Sequence, residues 1–155
     1  YMQTIGIIPK PAERGHSGEM PQHFADRFGW RKRAELVKRA YDSLSPEDRK
    51  KAVILCPNYG EAAAMEYYAA ELGLPPAISG HNNYWLWGPG QAGGEVNIVI
   101  AHPDNEMLRA FRAVEDLGTV DEPFQLDRWR ELRVYIARGL ERPVAELWPD
   151  LKRFI

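Results

Sequence analysis

The chain has 155 residues, of which 45% are hydrophobic and 27% charged, with a net charge of −2. These values are typical of one globular domain, and they exclude a disordered chain and a fibrous repeat. Because positive charge is not in excess, nucleic acid is excluded as an expected partner. The longest apolar runs are far shorter than the roughly 20 residues of a membrane span, so no spanning helix is predicted in this chain.

The first predicted elements are an extended lead-in and a helix. Residues 1–29 are rich in proline and glycine, which predicts an extended arm before a single α/β domain over 30–155. The next apolar residues recur at helical spacing and predict one buried helix face, formed by Trp30, Ala34, Val37, Tyr41 and Leu44. Ser45 is then expected to cap a short helix that begins with Pro46.

The rest of the chain predicts strands that alternate with helices. The predicted strands are 52–56, 77–79, 96–101 and 132–137. The predicted helices are 59–72, about 104–117 with Leu108, Phe111, Val114 and Leu117 on one side, and a closing helix with Val144, Leu147, Trp148 and Leu151 inside. This order predicts an α/β three-layer sandwich, with a mostly parallel Rossmann-like sheet of four or five strands and helices on both faces.

Ligands of such sheets bind beyond the carboxyl ends of the strands, so the loops after 52–56 and 77–79 are the candidate site. In the first loop, Asn58 and Glu61 have the spacing of a capping box at the start of a helix. The usual glycine-rich nucleotide motifs are absent from this loop. The sequence therefore disfavours a Rossmann-type oxidoreductase and predicts no cofactor.

Three other kinds of chemistry find little support in the sequence. Cys56, the single cysteine, ends an apolar run and precedes proline, so we interpret it as a packed thiol. Ser79 lies outside a G-x-S-x-G nucleophile motif. The four histidines lack the spacing of metal ligands, so neither a metal site nor a catalytic residue is predicted.

The segment 81–87, with the sequence HNNYWLW, combines amide and aromatic side chains. Tryptophan and tyrosine have apolar faces and one polar tip, which suits the C–H faces and hydroxyls of sugars. The alternative is that the rings pack over the sheet; we favour packing for Trp87 and leave both interpretations open for Tyr84 and Trp85. The predicted substrate-binding residues, which we expect to share one hollow, are Asn58, Tyr59, Glu61, His81, Asn82, Asn83, Tyr84 and Trp85.

A resemblance to a known family is carried by four stretches. They are GEMPQHFADRFGW (18–30), NYGEAAAMEYY (58–68), GLPPAISGHNNYWLWGPG (73–90) and PVAELWPDLKRF (143–154). Together they resemble the C-terminal soluble region of bacterial membrane proteins of the glycosyltransferase family 39 type. That group includes relatives of dolichyl-phosphate-mannose-protein mannosyltransferases and of aminoarabinose transferase-like enzymes.

The resemblance implies a polytopic parent enzyme that takes a sugar from a polyprenyl-phosphate carrier outside the membrane. Its catalytic acids would lie in the membrane-embedded part, so none is assigned to this chain. The first residue is Tyr1 rather than Met, and we expect a segment of a longer protein with 1–29 as a juxtamembrane arm. The expected partners are the membrane-embedded part of the same parent chain and a sugar or glycan acceptor, at the extracytoplasmic face of the bacterial membrane.

Three functions remain open at this point. The first is an accessory module that binds an acceptor or glycan, or positions it, without catalysis of its own. The second is a self-standing small-molecule enzyme that uses Glu61 or His81 as its acid or base. The third is a purely structural domain that stabilises the membrane part.

Overall fold

The structure, a computed structural model, describes residues 22–125 and 127–154. Most of the predicted lead-in, 1–29, lies outside the described residues. Within 22–29 the chain forms one helical turn, and Ala25 is buried. The predicted boundary at residue 30 stays a prediction, although these last residues before it already contact the domain.

Seven α-helices and one 3₁₀ helix lie in the described ranges. They are α1 (Gln22–Ala25), α2 (Trp30–Ser43), α3 (Pro46–Lys51), α4 (Tyr59–Leu72), α5 (Asn83–Trp87), the 3₁₀ helix (Glu106–Ala110), α6 (Asp127–Arg130) and α7 (Val144–Leu147). The predicted helices at 30–44 and 59–72 are confirmed, as is the Ser45 cap, whose side chain accepts a hydrogen bond from the Asp48 amide. None of the helices described is both long and apolar enough to cross a membrane.

In the described part of the chain, five strands form one mixed sheet in the order β2-β1-β3-β5-β4. They are β1 (Val53–Leu55), β2 (Ala77–Ile78), β3 (Val96–Ala101), β4 (Phe111–Asp116) and β5 (Arg133–Leu140). β1 pairs in parallel with β2 and β3, whereas β5 pairs antiparallel with both β3 and β4. The α/β class is therefore correct, and the prediction of a mostly parallel sheet is wrong.

The reason lies in the segment 104–117, where a helix was predicted. The 3₁₀ helix occupies its first half and β4 its second, so no crossover helix carries the chain back for parallel pairing. The four residues that were assigned to one helix face separate: Leu108 and Phe111 pack against one core cluster, Leu117 packs against the other, and Val114 is exposed. The spacing that suggested a helix does not correspond to one buried surface.

Each face of the sheet has its own hydrophobic cluster. The first cluster includes Ile54, Ile98 and Ile136 and lies on the side of α2 and α4. The second cluster contains the alternate residues of the same strands and therefore lies on the opposite side of the sheet. Short segments around α5, the 3₁₀ helix and α7 cover it. The predicted three-layer arrangement stays a prediction, since the elements on this second side are short.

Candidate functional site

The predicted site begins where β1 ends and α4 starts. The side chain of Asn58 accepts hydrogen bonds from the amides of Gly60 at 2.7 Å and Glu61 at 3.3 Å, which confirms its predicted role as a helix cap. The Tyr59 amide donates to Nδ1 of His81 at 3.4 Å. Because these partners already occupy the free amides of the first turn, this helix end does not offer a place for a phosphate group.

The carboxylate of Glu61 points into the protein, where the residue is fully buried. It acts electrostatically on Arg33 of α2, which is also buried and donates to the carbonyl of Trp129 at 2.5 Å. Burial lowers the pKa of the Arg33 guanidinium, and the negative charge of Glu61 opposes that effect. Burial also raises the pKa of the neighbouring Cys56 thiol well above its usual range, which agrees with a packed thiol and not with a nucleophile.

His81 is only 3% exposed and lies against α4. Its ring centroid is 5.2 Å from that of Tyr59, and no hydrogen-bond partner among the described residues reaches Nε2. Burial, followed by the charge of Arg153, lowers the pKa of His81, so the imidazole is neutral at pH 7. Because Nδ1 accepts the Tyr59 amide, the proton of this neutral ring is on Nε2.

The C-terminal segment fixes the backbone around His81. The amide of Arg153 donates to the Gly80 carbonyl, and the amide of Asn82 donates to the Arg153 carbonyl, each at 2.9 Å. Gly80 allows this close approach, since a Cβ atom there would lie 2.1 Å from the carbonyl oxygen of Leu151. The segment therefore extends the sheet at the end of β2. Arg153 was not predicted to lie near His81, because the two residues are far apart in the sequence.

The aromatic segment divides between the two faces of the sheet. Asn82 has a φ of 52° and turns the chain into α5, which begins at the exposed Asn83. Tyr84 packs into the first cluster, and its hydroxyl donates to the carboxylate of Glu66 at 2.6 Å. Burial and this hydrogen bond raise the pKa of Tyr84, so the hydroxyl remains a donor.

Trp85, the next residue, packs against the second cluster. Its indole N–H donates to the Trp148 carbonyl at 2.9 Å, and the Trp148 indole donates back to the Trp85 carbonyl at 3.0 Å. The ammonium of Lys152 lies 4.5 Å from the ring centroid, and the ring of Phe154 meets it edge-on at 6.0 Å. Trp85 is thus held by packing, apart from Glu61, and the expectation of one hollow shared by all the predicted residues is wrong.

Trp87 is the ring of this segment that remains at the surface. It is 68% exposed, and its ring packs edge-on against Tyr84 with centroids 4.7 Å apart. On the adjoining helix α4, Tyr59 is 51% exposed. We call Trp87, together with the buried Tyr84 that contacts it and the Glu66 carboxylate that binds Tyr84, the α4–α5 aromatic surface.

Two members of this surface, Glu66 and Trp87, were not among the predicted site residues. A signal for Trp87 was present in the sequence. Residues three apart share one face of a helix, which pairs Tyr84 with Trp87 and turns Trp85 away. For Glu66 no such signal existed, because its contact with Tyr84 depends on how α4 and α5 pack.

A separate depression lies beyond the carboxyl end of β3. Its volume is about 340 Å³, and it is lined by His102, Pro103, Asp104, Arg130, Glu131 and Arg133. Nδ1 of His102 lies 3.8 Å from a carboxylate oxygen of Glu131, and Arg133 forms an ion pair with Asp116 at 2.8 Å. Because the carboxylates of Asp104 and Glu131 accompany the guanidinium groups of Arg130 and Arg133, the lining has no excess positive charge for an anion, and none of the predicted site residues lines it.

The described residues contain no group of three or more histidine, cysteine or acidic side chains placed to hold a metal ion. Comparison with known proteins gives no relative: no protein-family model matches the chain, and neither the curated proteins nor the solved structures contain a match.

Proposed function

We propose that the chain is a non-catalytic module that binds or positions a glycan or glycan acceptor through the α4–α5 aromatic surface. Its parent would be a polytopic glycosyltransferase that uses a polyprenyl-phosphate sugar, with this domain at the extracytoplasmic face of the bacterial membrane. The sequence resemblance supports the parent and its location. The three-layer sandwich belongs to the same proposal, supported by the buried clusters on both faces of the sheet.

The exposed ring of Trp87 is the observation on which this proposal depends. Tyr84 holds that ring edge-on, and the hydrogen bond to Glu66 in turn holds Tyr84. An aromatic pair of this kind contributes about 0.5–1.5 kcal/mol beyond its buried area, so the ring is ordered before a ligand arrives. An ordered, solvent-facing indole suits the apolar face of a sugar, and the nearby carboxylate accepts hydrogen bonds from hydroxyls.

The enzyme alternative finds less support. A general acid or base must come within hydrogen-bond reach of its substrate, directly or through one water. Glu61 is fully buried and His81 is 3% exposed, so a substrate would reach neither without rearrangement of α4 or the C-terminal segment. The structural alternative accounts well for Trp85 and Trp148, and it would require the exposed Trp87 to be a contact with the membrane part.

Calorimetric titration with mannose, N-acetylglucosamine and their short oligomers tests the proposal. Contacts through one or two rings predict weak binding, with a dissociation constant of about 1 mM, or about −4 kcal/mol. Trp87→Ala is expected to weaken binding at least about tenfold, which corresponds to about 1.4 kcal/mol. Tyr67→Ala is the matched control, because this ring, on α4, is also exposed, at 79%, but it contacts Tyr68 instead of Tyr84.

Two results would contradict the proposal. One is an absence of heat change with every sugar at about 10 mM, a concentration that would occupy most sites of the expected affinity. The other is an equal loss of binding in Trp87→Ala and Tyr67→Ala, which would indicate non-specific contact with exposed rings. Either result would leave the purely structural function as the better account.

A further inference from the structure

The C-terminal segment, residues 151–154, is held against the end of β2 by few contacts. Two backbone hydrogen bonds connect it there, from the Arg153 amide to the Gly80 carbonyl and from the Asn82 amide to the Arg153 carbonyl. Of its side chains only Leu151 is half-buried, and the other three are exposed. A segment with so little buried surface can open at a free energy well below that of global unfolding.

Both hydrogen bonds are made by the residues on either side of His81, so the segment depends on where His81 lies. His81 and Arg153 form a parallel bridge at this edge of the sheet. The His81 ring lies against α4, where its Nδ1 accepts the Tyr59 amide at 3.4 Å. A displacement of this ring would therefore move the backbone groups that hold Arg153.

Protonation of His81 is incompatible with this arrangement for a geometric reason. A proton on Nδ1 turns the acceptor of the Tyr59 amide into a donor, so two N–H groups would face each other. The new positive charge would also lie at the first turn of α4, the positive end of a fourteen-residue helix. Because the residue is only 3% exposed, water does not compensate for the lost hydrogen bond.

The charged groups near His81 do not stabilise its protonated form. The titratable or charged side chains at this end of β1, of α4 and of the C-terminal segment are Cys56, Tyr59, Glu61, Lys152 and Arg153. Burial is the larger cause that lowers the pKa of His81, and the positive charge of Arg153 is the second. Glu61 acts on Arg33 and Cys56 instead, so no carboxylate among the described residues offsets these two effects.

We propose that protonation of His81 releases the C-terminal segment from the end of β2, as an acid-sensitive switch. The neutral ring holds the segment, and the charged ring is stable once the segment has left and the imidazole reaches water. Release uncovers one face of the Trp85 ring, because Lys152 lies 4.5 Å from its centroid and Phe154 meets it edge-on. The switch does not depend on glycan binding, since none of these residues belongs to the α4–α5 aromatic surface.

Hydrogen–deuterium exchange of the full chain from about pH 7.5 to 5.5 tests the switch, with rates corrected for the intrinsic effect of pH. The amides of Asn82 and Arg153 report release, because each donates one of the two hydrogen bonds. Below the ordinary histidine pKa of 6.5, their protection should fall by up to about tenfold for each pH unit, the effect of one bound proton. The amides of the central strand β3 should stay more strongly protected, which distinguishes release from global unfolding. Protection of Asn82 and Arg153 that does not change with pH, or that is lost only together with β3, would overturn the proposal.

Three substitutions test whether the charge on His81 controls release. His81→Gln removes the titrating group but keeps an acceptor for the Tyr59 amide, so protection should become independent of pH over this range. Arg153→Gln keeps both backbone hydrogen bonds and should reduce the total fall in protection by about twofold, the effect of one exposed charge. Lys152→Gln is the matched control: the neighbouring cation lies over Trp85, so its loss should shift protection equally at every pH. A pH dependence that persists in His81→Gln, or that Lys152→Gln also removes, would overturn the proposal.

Discussion

The two halves of the sheet differ in what covers their strands. Every residue of β3, at the centre, is buried, because the first cluster lies on one face and the second on the other. In β4, at the edge, only Phe111 is buried. The parallel half that contains β1 and β3 therefore holds the fold together, whereas the antiparallel edge leaves surface free for contacts with other molecules.

This comparison predicts very different costs for the same kind of substitution. Ile98→Ala in β3 empties a fully buried site and should lower the free energy of unfolding by about 3 kcal/mol. Val114→Ala in β4 removes a half-exposed side chain and should cost less than about 0.5 kcal/mol. Urea unfolding measures both, and equal costs would contradict the contrast between the two strands.

The second-largest effect is expected at the end of β2, where the C-terminal segment approaches Gly80. Gly80→Ala places a methyl group against the Leu151 carbonyl and should push that segment away, at a cost of about 2 kcal/mol. The displaced segment should also become sensitive to protease. An unchanged stability, with the segment still protected, would show that this approach is not tight.

A smaller difference is expected between two helix caps. Asn58→Ala removes the cap of the fourteen-residue α4 and should cost about 1 kcal/mol. Asn105→Ala removes the corresponding contact to the Met107 amide at the start of the 3₁₀ helix. Because that helix is short and lies beside the exposed edge, loss of its cap should cost about 0.5 kcal/mol, the lower end of the range for caps. Thermal unfolding of both variants under the same conditions would rank the two costs. A larger cost for Asn105→Ala than for Asn58→Ala would contradict this account.

The smallest effect, a pH dependence, follows from His81. Its folded-state pKa lies below the ordinary value of 6.5, because of burial and then Arg153. Below pH 6.5 the unfolded chain takes up a proton that the folded chain does not, so stability falls as the pH decreases toward the folded-state pKa. His81→Gln should flatten this part of the pH–stability curve. A curve that stays unchanged in His81→Gln would contradict the neutral, buried imidazole.

Much of the parallel half could be predicted from the sequence. The runs at 52–56 and 96–101 are continuously apolar, which fits strands that are buried on both faces, and Asn58 starts the intervening helix where the cap predicts. In the antiparallel half, the strand predicted at 132–137 is present as β5, but β4 and the direction of pairing were not predicted. In 104–117, local spacing favoured a helix, while the pairing of β4 with β5 depends on contacts between residues far apart in sequence.

The candidate site shows the same limit at the level of side chains. The sequence identified the correct segment, 81–87, and the correct helix start. Helical spacing separates Trp85 from Tyr84 and Trp87, but what covers each side of α5 depends on Trp148 and Lys152, more than 60 residues further on. The burial of Glu61 and His81 likewise results from α2 and the C-terminal segment packing over them.

The central claim is that the aromatic segment divides between packing and recognition. The most direct measurement is a ¹H–¹⁵N spectrum of the five tryptophan indoles during a titration with the sugar that binds best. We predict that the Trp87 signal moves and exchanges freely with water, while the signals of Trp85 and Trp148 stay in place and are protected by their hydrogen bonds to carbonyls. A moving, unprotected Trp85 signal beside a static Trp87 signal would contradict the account.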